Sequence, residues 1–154
     1  MRMDTAIGDF KPFFVEQMLE IYQSHEHCFE DIGVCLEFLL ECSQRPDFLI
    51  KQAYMGEKLL GYAGCLFFEN VGRAELGPIV VRGDMLGQGI GKALYYEMEQ
   101  ALRKRGIRRF IVKVKDGNMQ ALGFFKGLGF SVEAVLRDYT LQGEDIVQLV
   151  AYIK

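Results

Sequence analysis

The sequence predicts an α/β fold: a mixed, largely antiparallel sheet flanked by helices on both faces, in one domain spanning 1–154. Three observations carry that expectation. Runs that alternate apolar and polar residues are interspersed with stretches of helical period. No repeat, low-complexity stretch or linker interrupts the 154 residues, the size of one ordinary domain. Half of the residues are hydrophobic and a quarter are charged, the balance of a globular protein with a substantial core.

Residues 3–7 read as a short first strand. Asp9 stands where it can cap a helix that takes Pro12 into its first turn and runs through Phe14, Met18, Leu19 and Tyr22. A polar loop at 24–28 leads to a second helix with Ile32, Cys35, Leu36, Leu39 and Leu40 on one side. Strands at 48–54 and 59–68 are joined tightly through Met55-Gly56-Glu57-Lys58, and a third long strand covers 74–81 after a turn at 70–73. Gly77 and Pro78 interrupt that third run. Proline cannot donate to a ladder, so it belongs at an edge, a bulge or a place where pairing lapses. The period then changes, and Ile90, Ala93, Leu94, Met98, Ala101 and Leu102 form an amphipathic helix closed by Arg103-Lys104-Arg105 and Gly106. Phe110, Val112 and Val114 alternate as a strand, and a short helix over 118–128 stops at Gly129. Residues 130–141 and 146–152 read as a hairpin around Gln142-Gly143-Glu144-Asp145.

The formal charge of -3 and a pI near 5.5 argue against nucleic acid as the main partner. No apolar run approaches the roughly 20 residues that span a bilayer. The start Met1-Arg2-Met3-Asp4 lacks an apolar signal core, so a cytoplasmic protein without a membrane partner is expected. Cys28, Cys35 and Cys42 recur every seven residues, two turns apart on a helix and too distant to bridge, while Cys65 lies in an apolar strand. Buried, reduced, unreactive cysteines are expected. His25 and His27 flank Glu26 just before Cys28, but the close pairs of a zinc site are lacking, and no metal is expected.

The chemistry centres on Gly87-Gln88-Gly89-Ile90-Gly91, three alternating glycines between a strand and a helix. Without Cβ atoms the backbone can turn sharply and bring free N–H groups close to a ligand. The first amides of the helix have no intrahelical partner, and the helix dipole adds partial positive charge, so the turn suits a phosphate or pyrophosphate. A Walker A loop would need glycine at Leu86 and serine or threonine at Ala93. A dinucleotide fingerprint would need a small residue at Lys92 or at Leu94. Neither pattern is met.

The run Ile79-Val80-Val81-Arg82-Gly83-Asp84-Met85-Leu86 continuing into that turn resembles the central motif of the GNAT superfamily of N-acetyltransferases. A second segment, Asn118-Met119-Gln120-Ala121 through Phe124-Phe125 to Gly129-Phe130, resembles the family's later motif, with the expected helix and strand between. The resemblance implies a GNAT-like sheet splayed near Pro78 and acetyl-CoA as co-substrate. Backbone groups of the Ile79, Val80 and Val81 strand would pair with the pantetheine arm. The amides of Gly87, Gln88, Gly89, Ile90 and Gly91, with Lys92 nearby, would hold the pyrophosphate. Asn118 would steady the pantetheine arm while also capping its helix. Phe125 occupies the cofactor-side position where many members carry a tyrosine that protonates the departing thiolate, and Leu86 stands where glutamine or arginine is usual.

In such an enzyme an amine attacks the thioester directly, after losing a proton to a general base. Glu75, four residues before Ile79, stands where some members place a catalytic glutamate, and burial in an apolar strand would raise its affinity for a proton. Expelling a thiolate of reference pKa about 8.5 unprotonated near pH 7 forgoes about 2 kcal/mol. Losing a positioned acid costs roughly 10²–10⁴-fold, and Tyr139 is the candidate substitute for the missing tyrosine. Glu26, Glu30 and Asp31 lie where the family's acceptor groove would be. The acceptor is expected to be the primary amine of a small molecule, a peptide or a protein terminus, and the protein a monomer or homodimer. Two other readings remain: an acyl-CoA-binding sensor without catalysis, motivated by Phe125 and Leu86, and a nucleotide-binding P-loop module, disfavoured by Leu86 and Ala93.

Overall fold

A computed structural model describes residues 4–29 and 34–153. Strand β1 (Ala6–Asp9) is followed by helices α1 (Val15–Ser24) and α2 (Leu36–Gln44), then by β2 (Phe48–Met55), β3 (Lys58–Phe68) and β4 (Arg73–Val81). Helix α3 (Ile90–Arg103) leads to β5 (Arg109–Lys115), and α4 (Met119–Gly127) to β6 (Ser131–Leu136) and β7 (Ile146–Tyr152). The seven strands form one sheet in the order β1-β2-β3-β4-β5-β7-β6. Its neighbouring strands run antiparallel except β4 and β5, which are parallel. A parallel pair needs a long crossover, and α3 supplies it.

Helices cover both faces. Phe14, Met18 and Ile21 with Leu39 of α2 bury Ile50, Leu59, Tyr62 and Val80 on one face. On the other, Ile90, Leu94, Met98 and Leu102 form the i, i+4 row of α3 and pack with Leu60, Cys65, Leu76, Phe110 and Leu149. The expected α3 stripe is therefore present, with Ala93 and Ala101 at its half-buried margin.

Several local expectations are corrected. Asp9 does not cap a helix. It ends β1, its carboxylate 2.6 Å from Lys51 Nζ across the β1–β2 pair. The chain enters α1 through a short 3₁₀ turn, Pro12–Phe14, and the Lys11 N–H donates to Oε1 of the buried Gln52 at 2.8 Å. The three seven-spaced cysteines do not share a helix: Cys28 lies in a 3₁₀ turn, Cys35 precedes α2 and Cys42 lies within it. Cys42 and Cys65 are buried, whereas Cys35 is exposed and Cys28 half-buried. Leu40 is exposed, and Leu39 with Cys42 forms the inward side of α2. Met3 and Ile32 lie outside the described residues. The last hairpin has shorter strands than its apolar spacing suggested, and residues 137–145 form a long loop that carries Tyr139.

The feature that positions the site is a fork in the sheet. The β4–β5 ladder pairs Arg73 with Arg109 through Leu76 with Val112 and stops there. Beyond it come Gly77, at φ 146°, and Pro78, which has no N–H to donate. From this point β4 stays with β3 while β5 continues with β7, and the two strands part.

Candidate active site

The fork opens into a cavity of about 480 Å³, walled by the ends of β4 and β5, the start of α3 and the inner side of α4. On an antiparallel strand successive residues direct their backbone polar groups to opposite sides. The Arg82 N–H donates to Leu60 O at 2.8 Å, so Arg82 and Val80 face β3. The same alternation turns the N–H and C=O groups of Ile79 and Val81 away from β3, toward the gap that β5 has vacated.

At the far end of the cavity, Gly87 and Gly89 have φ of 77° and 80°, a region closed to most side chains. Gly89 is the N-cap of α3, with no side-chain cap and no acidic residue in the first helical turn. The Ala93 N–H is the first to find an intrahelical acceptor, Gly89 O at 3.0 Å. The amides before it point out of the helix end, where the dipole concentrates positive potential. A Cβ on Gly91 would lie 3.4 Å from the Phe124 ring, so this glycine permits the close approach of α3 and α4 that narrows the cleft.

Of the residues singled out from the sequence, Glu75, Ile79, Val80, Val81, Gly87, Ile90, Gly91, Asn118 and Phe125 line the cavity. Gln88, Gly89, Lys92 and Tyr139 do not. The Lys92 ammonium instead lies 6.0 Å over the Tyr96 ring, its i+4 neighbour. The Asn118 side-chain oxygen caps α4 by accepting the Ala121 N–H at 3.2 Å, which leaves the amide NH₂ as its donor toward the cleft. Phe125 is 7% exposed, with its ring edge-on to Phe124 and Phe130. Leu86 is exposed at the turn.

Glu75 does not have the apolar setting expected of it. Its Oε1 lies 3.0 Å from Lys113 Nζ, and its side chain is 36% exposed. Tyr139, 43% exposed on the β6–β7 loop, accepts a hydrogen bond from the same ammonium at 3.0 Å. Burial alone would lower the Lys113 pKa, but hydrogen bonds to Tyr139 and Glu75 and their charges outweigh it and raise the value. Lys115, two residues on and on the same face of β5, donates to His27 O at 3.0 Å and pairs with Glu144 at 3.1 Å. It thereby ties the α1–α2 connection to the β6–β7 loop. Neither lysine was singled out from the sequence. The signal was the alternation itself: Phe110, Val112 and Val114 mark the buried face of β5, and mid-strand lysines at 113 and 115 mark the other. Of the three acidic residues that stand where the resemblance puts an acceptor groove, Glu26 sits in the 3₁₀ turn outside the cavity wall, and Glu30 and Asp31 lie outside the described residues.

A splayed strand edge leading to an uncapped helix start suits an extended ligand with an anionic end. The chain belongs to the acetyltransferase (GNAT) family, whose sequence pattern matches residues 14–130. It is 33% identical over 66 residues to the [ribosomal protein bS18]-alanine N-acetyltransferase of Escherichia coli strain K12, a match covering 43% of this chain. That match spans 45% of the relative's length, about half of it. The fold is similar to the crystal structure of the ribosomal-protein-S18-alanine N-acetyltransferase of Escherichia coli, with TM-score 0.80 and 23% identity over 97% of this chain and 94% of that one. It is also similar to the PaiA N-acetyltransferase of Thermoplasma acidophilum in complex with coenzyme A, with TM-score 0.77 and 23% identity over 95% of this chain and 98% of that one. Among the described residues no helix is long and apolar enough to cross a membrane, and no three histidine, cysteine or acidic side chains gather as a metal group.

Proposed function

We propose that this chain, acting as one catalytic domain, is an N-acetyltransferase that moves an acetyl group from acetyl-CoA to a primary amine by direct attack. The observation that carries this reading is the fork whose open β4 edge runs to the uncapped start of α3. A pantetheine arm suits the free edge, as an added strand would, and a pyrophosphate suits amides without intrahelical partners.

When bound, the thioester supplies an acyl carbon activated toward amines. Glu75 accepts the proton of the incoming ammonium, and the neutral nitrogen bonds to the acyl carbon as the carbon–sulfur bond breaks. A backbone N–H on the β4 edge steadies the carbonyl oxygen. Tyr139 lies off the cavity wall but accepts a hydrogen bond from Lys113 on it, and it is the candidate donor that returns a proton, through a water, to the departing sulfur, in place of the phenol absent at Phe125. The relative's name favours an amino group on a protein. Alanine has no side-chain amine, so the acetylated nitrogen of a protein alanine is its terminal one. We extend that acceptor class, peptide or protein N-termini, to this chain.

The test has two readouts: CoA affinity by calorimetry, and free thiol released from acetyl-CoA across a panel of short peptides and small primary amines. Binding together with amine-dependent release supports the reading. Binding without release from any amine favours the sensor alternative, which Phe125 motivates. Absence of CoA binding overturns both.

A further inference from the structure

Glu75 and Tyr139 lie far apart in sequence, one on a strand and one on a loop, and both touch a single side chain. We propose that Lys113 is the positioning residue of this site, holding the Glu75 carboxylate and the Tyr139 hydroxyl in one constellation at the point where the sheet forks. The proposal rests on the acetyltransferase reading of the cleft.

Sheet register explains the contact with Glu75. Glu75 is opposite Ile111, and Lys113 is two residues further along β5, on the same face. With strands about 4.8 Å apart and a rise of about 3.3 Å per residue, such diagonal neighbours are about 8 Å apart at the backbone, within reach of a lysine. The ladder has ended one pair earlier, and Lys113 and Glu75 both form part of the cleft wall. Tyr139 comes from the other side, and its ring centroid is 5.3 Å from the same nitrogen.

The chemistry of the ammonium sets the roles of its partners. Lysine has three donors and no acceptor. Both the carboxylate and the phenol oxygen must therefore accept from it, and the phenol's own hydrogen is directed elsewhere, ready to be donated. The Lys113 side chain is 21% exposed, and its raised pKa keeps it a cation at neutral pH. A partly exposed ion pair contributes little to folding, so variants at 113 are expected to fold.

The test measures kcat and KM for acetyl-CoA with an amine from the panel, for Lys113→Met and Lys113→Arg. Each is made in the wild-type background and in the double variant Glu75→Gln, Tyr139→Phe. In the wild-type background Lys113→Met should lower kcat roughly 10- to 100-fold, less than the full 10²–10⁴-fold worth of a general acid or base. KM for acetyl-CoA and CoA affinity should not change, and arginine should recover most of the rate. In the background lacking both partners, Lys113→Met should add less than about threefold, since a residue acting through others has nothing left to position. Full activity in Lys113→Met, no recovery by arginine, or the same fold-loss in both backgrounds would overturn the proposal. A second measurement is independent of turnover: ¹³C-tyrosine NMR, with the Tyr139 signal assigned from Tyr139→Phe. Glu75→Gln and Lys113→Met should each move that signal, and a Tyr139 signal indifferent to Glu75→Gln would refute the constellation even if the wild type acetylates nothing. A wild type that binds CoA but acetylates nothing, with the Tyr139 signal coupled, would instead overturn the acetyltransferase reading alone.

Discussion

Phe125 lines the cleft while its ring packs edge-on against Phe124 and Phe130, so adding a hydroxyl there tests the chemistry with little disturbance. A buried hydroxyl without a partner costs about 1–3 kcal/mol, but one that reaches the cleft avoids that cost. Phe125→Tyr is expected to unfold at nearly the wild-type denaturant concentration. Its turnover should rise, by up to ~10²-fold, if thiolate departure limits the rate. Combined with Tyr139→Phe, it should recover much of what that change loses alone. Destabilisation at the upper end of the hydroxyl cost would place the ring's para position in the core instead. At this scale the sequence revealed motif positions but not their surroundings. The glycines follow from their spacing along the chain, and Asn118 and Phe125 from the resemblance of their segment to a family motif, whereas the Lys113 contact with Glu75 depends on a parallel pairing between segments 38 residues apart, by the numbering. Spacing along one strand cannot show what the neighbouring strand presents.

The start of α3 can be tested as an element. Valine at Gly89 must adopt φ near 80°, a left-handed conformation that costs a side-chain-bearing residue roughly 1–2 kcal/mol, and it also crowds the free amides. Gly106, in the turn after α3, has φ 77° and open space out to 4 Å around the place a Cβ would take, so Gly106→Val carries the same strain away from the cleft. Both variants should melt lower than wild type. CoA at ~100 times its Kd should restore about 2.7 kcal/mol to Gly106→Val and nothing to Gly89→Val. Equal responses would remove the helix start from the binding site. The glycine turn was readable because its residue types are special. The β6–β7 loop was not, because its closure comes from side chains gripping backbone: Asp145 Oδ1 accepts the Asp138 N–H at 2.9 Å, and Thr140 Oγ1 accepts the Glu144 N–H at 3.0 Å. Apolar spacing through Leu136 and Leu141 imitates a continuous strand there.

For the whole molecule, stability should depend on pH through groups enclosed in neutral form. Burial raises the pKa of the Cys65 thiol and of the Tyr62 hydroxyl. Among the described residues that hydroxyl has no hydrogen-bond partner. A folded-state pKa above the unfolded value leaves full stability below the unfolded pKa and loses it as pH rises. The unfolded values are about 8.5 for cysteine and 10 for tyrosine. Denaturant midpoints should therefore stay level through pH 8 and fall above about pH 9, each group adding about 1.4 kcal/mol per pH unit once its unfolded form ionises. Tyr62→Phe should make the decline shallower above pH 10, and an unchanged decline would exclude that tyrosine as a cause. The order of elements along the chain was legible in alternating and helical periods. The order of strands across the sheet was not, because it depends on how α3 carries the chain over to β5. That order has a mechanical consequence. Strands β1–β4 and β5–β7 share a backbone seam of only four residue pairs, and the fork is the tip of a crack at its end. Tension applied between handles at Glu57, on the β2–β3 turn, and Gln142, on the β6–β7 loop, should propagate the crack along that seam. A ligand bridging the fork would carry load across the tip, so rupture force in optical-tweezers pulling should rise with CoA and fall back when it is washed out. A ligand-independent force would mean that whatever binds there leans on one half of the sheet alone.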